Sequence, residues 1–425
     1  MARSSHARIL RLGGRPHRSR RLATFALALA TLLLIACSSN NNKSNANNAT
    51  GATAAASYGS FTINSGQPII IGVSASLSGG TANLGNFIKN GADLAVSQKG
   101  TIMGHPVQIN AQDDQCGGPS SVSVANTFIS NPNVLGVVGP MCSGGCTPAE
   151  QVYARVHMVA ISASCTAPAV TQQGFDNILR DVPSDAVQGA GQARFAKDTL
   201  KATKAFVIDD QSIYAKGLEQ QFVQNFADSS HSVVKQVSIK AGDTDFSSIV
   251  TQIQSSGADL ICYYGYTPEA TLLIQQIRKA GITTNYMSDD GAKDPDAYIA
   301  KSQGAAEGTY VTEAETPTSS ATATVNKFTS DYHAKFNADP GTYSDTAYDA
   351  ANILLQAIQS VAKDAGGGKL TIDKKALIDY IHKINYNGVT GTITFNANGD
   401  RGGAATVLVS KVQGTQFVDA ARVTP

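Results

Sequence analysis

The sequence predicts an α/β protein with two lobes, each built on a doubly wound parallel sheet and joined by a three-stranded hinge. Short apolar runs alternate with amphipathic stretches from residue 68 onward, a pattern typical of buried strands connected by crossover helices. A proline-containing break at 181–184 divides this pattern into two series. The part that follows the polar N-terminal segment is roughly 360 residues long, which is more than one core usually serves.

The first series contains four apolar runs that predict strands buried on both faces: IIIGV (69–73), VQINA (107–111), VLGVV (134–138) and HMVAI (157–161). Helical spacing of apolar residues lies between them, at 87–98, 120–130 and 147–155. The second series repeats this order, with strands predicted at 205–209, 233–239, 260–264 and 309–312 and helices at 215–228, 246–255 and 268–280.

Three more helices are predicted at 321–336, 345–364 and 373–384, followed by strands at 391–395 and 404–411. We predict that the chain crosses between the lobes near residues 183, 315 and 389. The N-terminal lobe then contains residues 66–184 and 316–388, and the C-terminal lobe contains residues 185–315 and 389–425.

The N-terminus has the pattern of an export signal. Seven arginines and no acidic residue precede an apolar run that closes with Leu34-Ile35-Ala36-Cys37. A small residue before the cysteine and a branched aliphatic residue three before it resemble the bacterial lipoprotein box, in which the cysteine carries lipid. We therefore predict a signal peptide at 1–37, lipidation of Cys37 and a flexible polar tether at 38–65, which places the protein outside the cytoplasm on a membrane.

The charge balance argues against nucleic-acid binding. Removing residues 1–37 takes away seven of the 33 lysines and arginines and none of the 32 acidic residues, which leaves a formal charge of −6. A nucleic-acid footprint requires a clustered basic face, and none is visible in the sequence.

The sequence also lacks the patterns of an enzyme. It contains no GxSxG, HExxH or helix-opening GxGxxG. None of the five histidines after residue 37 lies in a loop that is predicted to bind a ligand. Cys142, Cys146 and Cys165 lack a fourth ligand for zinc, and an oxidising compartment favours disulfides. We expect these three and Cys116 to pair, in an order that spacing leaves open, and Cys262 to be a buried thiol. No cofactor or metal is predicted.

Ligands of open α/β sheets bind beyond the carboxyl ends of the strands. In the first lobe, Ser143 follows one strand with two glycines, and Ser164 and Thr166 follow the next. The hydroxyls and free backbone amides of these two loops suit a carboxylate, and we call the two loops the carboxylate cradle. Residues of these types are as often helix caps.

In the second lobe the strand ends carry other groups. Tyr214, Tyr264 and Tyr266 combine an apolar ring with a hydroxyl, and Asp289 and Asp290 form an acidic pair. An acid opposite a carboxylate cradle suits a zwitterionic amino acid, whereas the plainer interpretations are core packing for the tyrosines and a solvated SDDG turn for the aspartates.

Several of these segments together resemble one family. DDQC (113–116), GPMCSGG (139–145), SASCTAP (162–168), DDQSIYAKG (209–217), YYGYTPE (263–269) and AAEGTYVT (305–312) are similar to the leucine/isoleucine/valine-binding proteins of branched-chain amino-acid ABC importers. The similarity covers nearly everything after the tether. It implies the type I periplasmic-binding-protein fold, whose lobes close on the ligand by hinge bending.

The resemblance also implies roles for individual residues. Ser143 and Thr166 would hold the ligand carboxylate, the Ser164 carbonyl would accept from the ammonium, Tyr214 would close over the ligand, and Asp290 would meet the ammonium. Tyr266 is the other expected ligand-binding tyrosine. Leu84 stands where some relatives have an aromatic residue, and Asp290 is one methylene shorter than the glutamate common in the family, so the pocket shape differs. A Cys116–Cys142 disulfide is implied, and a second one between Cys146 and Cys165 is a hypothesis.

The function that follows is capture of a small amino acid, of branched-chain type, or of a related carboxylate, and its delivery to ABC permease subunits in the membrane. Two alternatives stay open on sequence alone. The protein could be a ligand sensor that reports to a membrane receptor, or its ligand could be an amide or an aromatic acid.

Overall fold

The computed structural model describes residues 58–315 and 322–425 of the 425-residue chain. The predicted signal peptide, Cys37 and most of the predicted tether lie outside these residues. Within them, no helix is long and apolar enough to cross a membrane.

The first lobe is formed around a six-stranded sheet. Its strands and helices, with the short N-terminal strand β1, are β1 (Ser60–Ile63), β2 (Ile69–Ala75), α1 (Ala82–Lys99), β3 (Thr101–Ile102), β4 (His105–Asp113), α2 (Gly118–Ser130), β5 (Val134–Val138), α3 (Ser143–Arg155), β6 (Val159–Ser162) and β7 (Ile178–Arg180). The sheet order is β3-β4-β2-β5-β6-β7, parallel except for the β3/β4 edge. Because helices cover its faces, the central strands β2 and β5 are almost wholly buried.

The second lobe begins with a helix. Its elements are α4 (Asp185–Asp198), β8 (Lys204–Asp209), α5 (Ile213–Phe226), β9 (Ser232–Ser238), α6 (Ser247–Ser256), β10 (Leu260–Tyr264), α7 (Thr267–Lys279), β11 (Asn285–Ser288) and β12 (Tyr310–Glu315), with a π-helical turn at Pro295–Ala300.

After the gap in the described residues come α8 (Thr322–Phe336), α9 (Ser344–Val361), β13 (Lys363–Asp364), β14 (Leu370–Asp373), α10 (Lys374–His382), β15 (Tyr386–Gly388), β16 (Gly391–Ile393), β17 (Thr406–Gln413) and β18 (Gln416–Val423).

The chain passes between the lobes more than once. The second sheet has the order β18-β17-β12-β11-β10-β8-β9, so its last two strands come from the C-terminus and pair antiparallel at one edge. Helix α9, by contrast, packs on α1 and on strands of the first sheet, and its residues Ala347–Ile358 join the first core. The predicted two-lobed α/β fold is therefore confirmed, with antiparallel strands added at the sheet edges.

Two of the predicted boundaries are wrong. The tether does not extend to residue 65, because β1 pairs antiparallel with β14 and buries Phe61 and Ile63 in the first core. The third crossing does not fall at 389, because Ile393 and Phe395 are also part of the first core. The chain leaves the first lobe between Phe395 and the start of β17.

Candidate functional site

The two lobes are in direct contact across their cleft. Asn83 of α1 donates from Nδ2 to Asp294 Oδ2 at 2.9 Å, and the Thr342 hydroxyl donates to the Lys293 carbonyl at 2.9 Å. The hydroxyl of Tyr343, just before α9, donates to Asp290 just after β11. These three bonds all join the first lobe to the second, so the described conformation is the closed one.

A small cavity lies at the centre of this contact. Its volume is about 10 Å³, room for about one water molecule. It is lined by Leu84, Met141, Cys142, Ser164, Tyr214, Tyr266, Asp290, Gly291 and Tyr343. Three tyrosine rings and two aliphatic side chains fill most of the space between the lobes, so a ligand the size of an amino acid enters only when the lobes separate.

Asp290 is the acidic group of the cavity. It lies two residues after the end of β11 and is only 3% exposed. Its Oδ1 accepts from the Tyr214 hydroxyl at 2.8 Å, and its Oδ2 accepts from Tyr343. Burial raises the pKa of the carboxyl group, while the two tyrosine hydrogen bonds act in the opposite direction. A carboxylate placed in this way can accept a hydrogen bond from a cationic ligand group.

Tyr214 and Tyr266 are positioned by helix starts. Tyr214 is the second residue of α5, whose N-cap Ser212 accepts from the Ala215 N–H at 3.0 Å. Tyr266 caps α7, and its ring centroid lies 5.4 Å from that of Tyr214. The preceding Gly265 has φ +150°, and a Cβ there would lie 2.4 Å from the Tyr263 hydroxyl oxygen, so only glycine lets the chain turn from β10 into α7 here.

The predicted carboxylate cradle lies in the first lobe. Ser143 opens α3, and its Oγ accepts from the Ala167 N–H at 3.3 Å, which links the two cradle loops. The Ser164 hydroxyl donates to the Met141 carbonyl at 2.7 Å. Thr166 is 1% exposed, and its Oγ1 is buried without a hydrogen-bond partner among the described residues. An unpartnered buried hydroxyl is available to a ligand or to water.

Arg180, at the end of β7, donates hydrogen bonds to the backbone of the cradle loop that contains Thr166. Its side chain is 2% exposed, and its Nη1 donates to the carbonyls of Thr166 and Ala167, both at 2.8 Å. Its Nε donates at 2.8 Å to Asp400, which lies on the third connection between the lobes. One buried guanidinium therefore fixes both the cradle loop and a hinge segment.

Two disulfides reinforce the same loops. Cys116 and Cys142 lie at disulfide-bonding distance with Cα atoms 5.2 Å apart, and so do Cys146 and Cys165, with Cα atoms 6.6 Å apart. The second bond joins the first turn of α3 to the loop between Ser164 and Thr166. Cys262 is the free cysteine among the described residues, and it is buried.

A larger cavity of about 480 Å³ lies behind Tyr343. Its lining includes residues at or beside the three connections between the lobes, represented by Val182, Glu315 and Arg401, together with Thr166 of the cradle. Since these connections are where the lobes rotate, the volume of this cavity must change when the cleft opens.

The small cavity brings together five of the seven predicted ligand-binding residues: Leu84, Ser164, Tyr214, Tyr266 and Asp290. Ser143 and Thr166 lie in the adjoining loops and do not line it in the closed conformation. Met141, Gly291 and Tyr343, which line the cavity, and Arg180, which contacts the cradle loop, were not predicted. Tyr343 lies in the turn-like segment NADPGTYSD, whose only indication of a role was its aromatic ring. Met141 lies inside the GPMCSGG segment, and Arg180 ends a stretch for which no element was predicted.

Two α/β lobes that meet over a buried cavity define a class of protein, the two-lobed ligand-binding proteins that close by hinge rotation. Comparison with known proteins gives the family. Residues 68–416 match the model of the family described as "Periplasmic binding protein". The chain therefore belongs to the periplasmic binding protein family.

The resemblance noted in the sequence is confirmed by individual relatives. The Leu/Ile/Val-binding protein BraC3 of Rhizobium johnstonii is 31% identical over 332 residues, 77% of this chain and 89% of the relative. The leucine binding protein LivK of Thermotoga maritima superposes with a TM-score of 0.76 at 27% identity, covering 84% of this chain and 99% of the other. The LivJ substrate binding protein of Streptococcus pneumoniae, in complex with isoleucine, gives a TM-score of 0.75 at 25% identity, with 84% and 100% coverage.

This membership also settles the general class of activity. Periplasmic binding proteins bind solutes for transporters outside the cytoplasm and are not enzymes, so the prediction of a binding protein is confirmed.

Proposed function

We propose that this protein is the lipid-anchored substrate-binding component of an ABC importer and that it captures a branched-chain amino acid or a related small amino acid. The observation that carries the proposal is the interlobe cavity, where a buried carboxylate from the second lobe faces the cradle loops of the first. The proposal is supported by the relatives, which include Leu/Ile/Val-binding proteins and a structure in complex with isoleucine.

In the proposed complex, Ser143 and Thr166 bind the ligand carboxylate through backbone N–H groups and the free Thr166 hydroxyl. The Ser164 carbonyl and Asp290 accept from the ammonium. The ligand side chain packs against Leu84 and the tyrosine rings. Contacts from both lobes exist only in the closed form, so binding shifts the population toward closure, and the permease recognises that form.

The test is a thermal-shift screen of the soluble form that starts at Gly51, refolded to remove bound ligand. We expect leucine, isoleucine or valine at a hundredfold excess over Kd to raise Tm by on the order of 5 °C. Calorimetry on each hit gives Kd. A response to amides or aromatic acids, with none to any amino acid, would contradict the proposed ligand class and leave the fold unaffected.

The anchor has its own test. Cys37→Ser removes the thiol that the lipid is proposed to modify, and we expect the protein to lose labelled palmitate. Cys262→Ser is the matched control, because that cysteine is buried in β10 and should leave anchoring unchanged. Labelling that persists in Cys37→Ser would contradict the proposal.

A further inference from the structure

Three buried carboxylates of the second lobe lie at or near the ligand cavity. Asp185 and Asp289 are 0% exposed and Asp290 is 3% exposed. Asp290 lines the cavity, and Asp289 Oδ1 lies 3.3 Å from the position of a Cβ built on the cavity residue Gly291. Asp185 opens α4, and its N–H donates to the Thr166 carbonyl at 2.9 Å. These three residues are called the acid cluster below.

The acid cluster has few groups to neutralise it. Asp289 Oδ2 accepts from the Gly265 N–H at 2.9 Å, but Asp289 Oδ1 and both oxygens of Asp185 have no hydrogen-bond partner among the described residues. Carboxylate oxygens buried without a donor are costly in the ionised form and are available to a bound proton.

The cations around the cluster are bound to other groups. Within residues 58–315 and 322–425, no lysine or arginine forms a salt bridge with any of the three acids. Arg180 pairs with Asp400 at 2.6 Å, and Lys293 pairs with Glu313. Arg401 donates to the Asp181 carbonyl at 2.7 Å and to Thr390. An ammonium group brought by a ligand would therefore be the first cation placed directly against the cluster.

Among the described residues, the charge of Arg180 acts on the cluster at Asp185 and opposes protonation there, without forming a salt bridge with it. The other titratable groups that face the cluster do not supply positive charge. They are Tyr214, Tyr266 and Tyr343, which line the cavity, and Asp210, whose charge acts on Asp289. Burial, with a smaller contribution from the charge of Asp290, raises the pKa of Asp185 to about 8, although the neighbouring Thr166 side chain and the charge of Arg180 act in the opposite direction. Burial also raises the pKa of Asp289, and the neighbouring Asp290 charge adds to this effect.

We propose that ligand capture at this site is a proton exchange: the acid cluster holds one proton before binding, and the ammonium of the ligand displaces it to solvent. The inference rests on the proposed function, because it requires an amine ligand. In the exchange one carboxylic O–H bond breaks, the proton passes to buffer, and the carboxylate accepts N–H hydrogen bonds from the ammonium. The total charge of protein, ligand and released proton is conserved.

The sign of the pH dependence follows directly. Below the raised pKa of the cluster the unliganded site carries the proton and the liganded site does not, so raising the pH favours the complex. The affinity should increase roughly tenfold per pH unit while one full proton is released. The increase should level off once the pH exceeds the raised pKa of the cluster, where the unliganded site has lost its proton. An amino-acid site without a raised pKa would be flat across this range.

The experiment is calorimetry of the wild-type soluble protein with L-leucine, L-isoleucine and L-valine at pH 7. Each titration is repeated in phosphate, HEPES and Tris, whose ionisation enthalpies differ. The slope of observed enthalpy against buffer ionisation enthalpy gives the number of protons released, and we expect about one. Binding with a slope of zero would overturn the inference and leave the proposed function intact. Failure of all three amino acids to bind would overturn the proposed function and this inference with it.

Substitutions of single acids in the cluster show which carboxyl groups carry the released proton. Asp289→Asn keeps an acceptor for the Gly265 N–H but cannot be protonated, so binding should persist with fewer than half of the wild-type protons released. Asp185→Asn should lower the count in the same way. Asp198→Asn, on an exposed side chain at the end of α4, is the matched control and should release as many protons as wild type. Unchanged proton release in both Asp289→Asn and Asp185→Asn would show that the proton comes from elsewhere.

Discussion

Asp290→Ala is expected to weaken L-leucine binding by roughly 100-fold or more, because the variant leaves the ligand ammonium without its charged acceptor. Truncating one partner of a buried charge pair costs about 2–5 kcal/mol, and about 2.7 kcal/mol corresponds to a hundredfold change in Kd. The deaminated analogue 4-methylpentanoate lacks the ammonium, so its binding should fall far less. The measurement is the ratio of the two Kd values for each variant, obtained by calorimetry.

The ratio separates the ammonium contact from the closure of the lobes. Asp290 also accepts from Tyr343 across the cleft, and Asp290→Ala removes that interlobe bond for both ligands. Tyr343→Phe removes the same bond and keeps the carboxylate, so it should change both Kd values by the same modest factor. Equal losses for leucine and its deaminated analogue in Asp290→Ala would show that the acid does not meet an ammonium.

The strands that could be predicted best are the ones whose environment is simple. VLGVV and LICYY are uninterrupted apolar runs, and the observed strands β5 and β10 have the predicted bounds, Val134–Val138 and Leu260–Tyr264. Both are buried along their whole length, so the local pattern and the tertiary environment agree.

Elements that depend on distant partners were missed. Strand β1, with the sequence SFTI, has only two apolar residues and follows a polar segment, and it is a strand because it pairs with β14 more than 300 positions later. Helix α4 was not predicted because Gly189 and Gly191 interrupt its apolar pattern. Those glycines are needed where α4 packs closely, since a Cβ at Gly191 would lie 2.4 Å from the Val407 side chain.

The residues of the candidate site also divide into those that local sequence indicates and those that depend on distant packing. Loops at the ends of strands pointed to Ser164, Tyr214 and Asp290, because the carboxyl edge of a parallel sheet is visible in sequence. Tyr343 could not be placed in this way. It precedes α9 with φ +69°, a left-handed conformation that is unusual for a bulky residue, and it reaches the site only because α9 packs back onto the first lobe.

Arg180 is the missed residue whose replacement should have the largest structural effect. Arg180→Met keeps much of the side-chain volume but removes every donor to the cradle carbonyls and to Asp400. Breaking a buried ion pair typically costs 3–5 kcal/mol, and since the Asp400 side chain is 28% exposed we expect about 3 kcal/mol. The measurement is the midpoint of urea unfolding at unchanged slope.

The control for this change is Arg194→Met. The Arg194 side chain is 56% exposed and pairs with the exposed Asp198 at 3.4 Å, so its loss should shift unfolding by less than about 0.5 kcal/mol. Arg180→Met should in addition weaken ligand binding, because the Thr166 and Ala167 carbonyls that it orients belong to the cradle loop. A variant that unfolds like wild type would show that the disulfides hold this loop without the guanidinium. Normal stability combined with weaker binding would instead identify Arg180 as a residue that positions the cradle for its ligand.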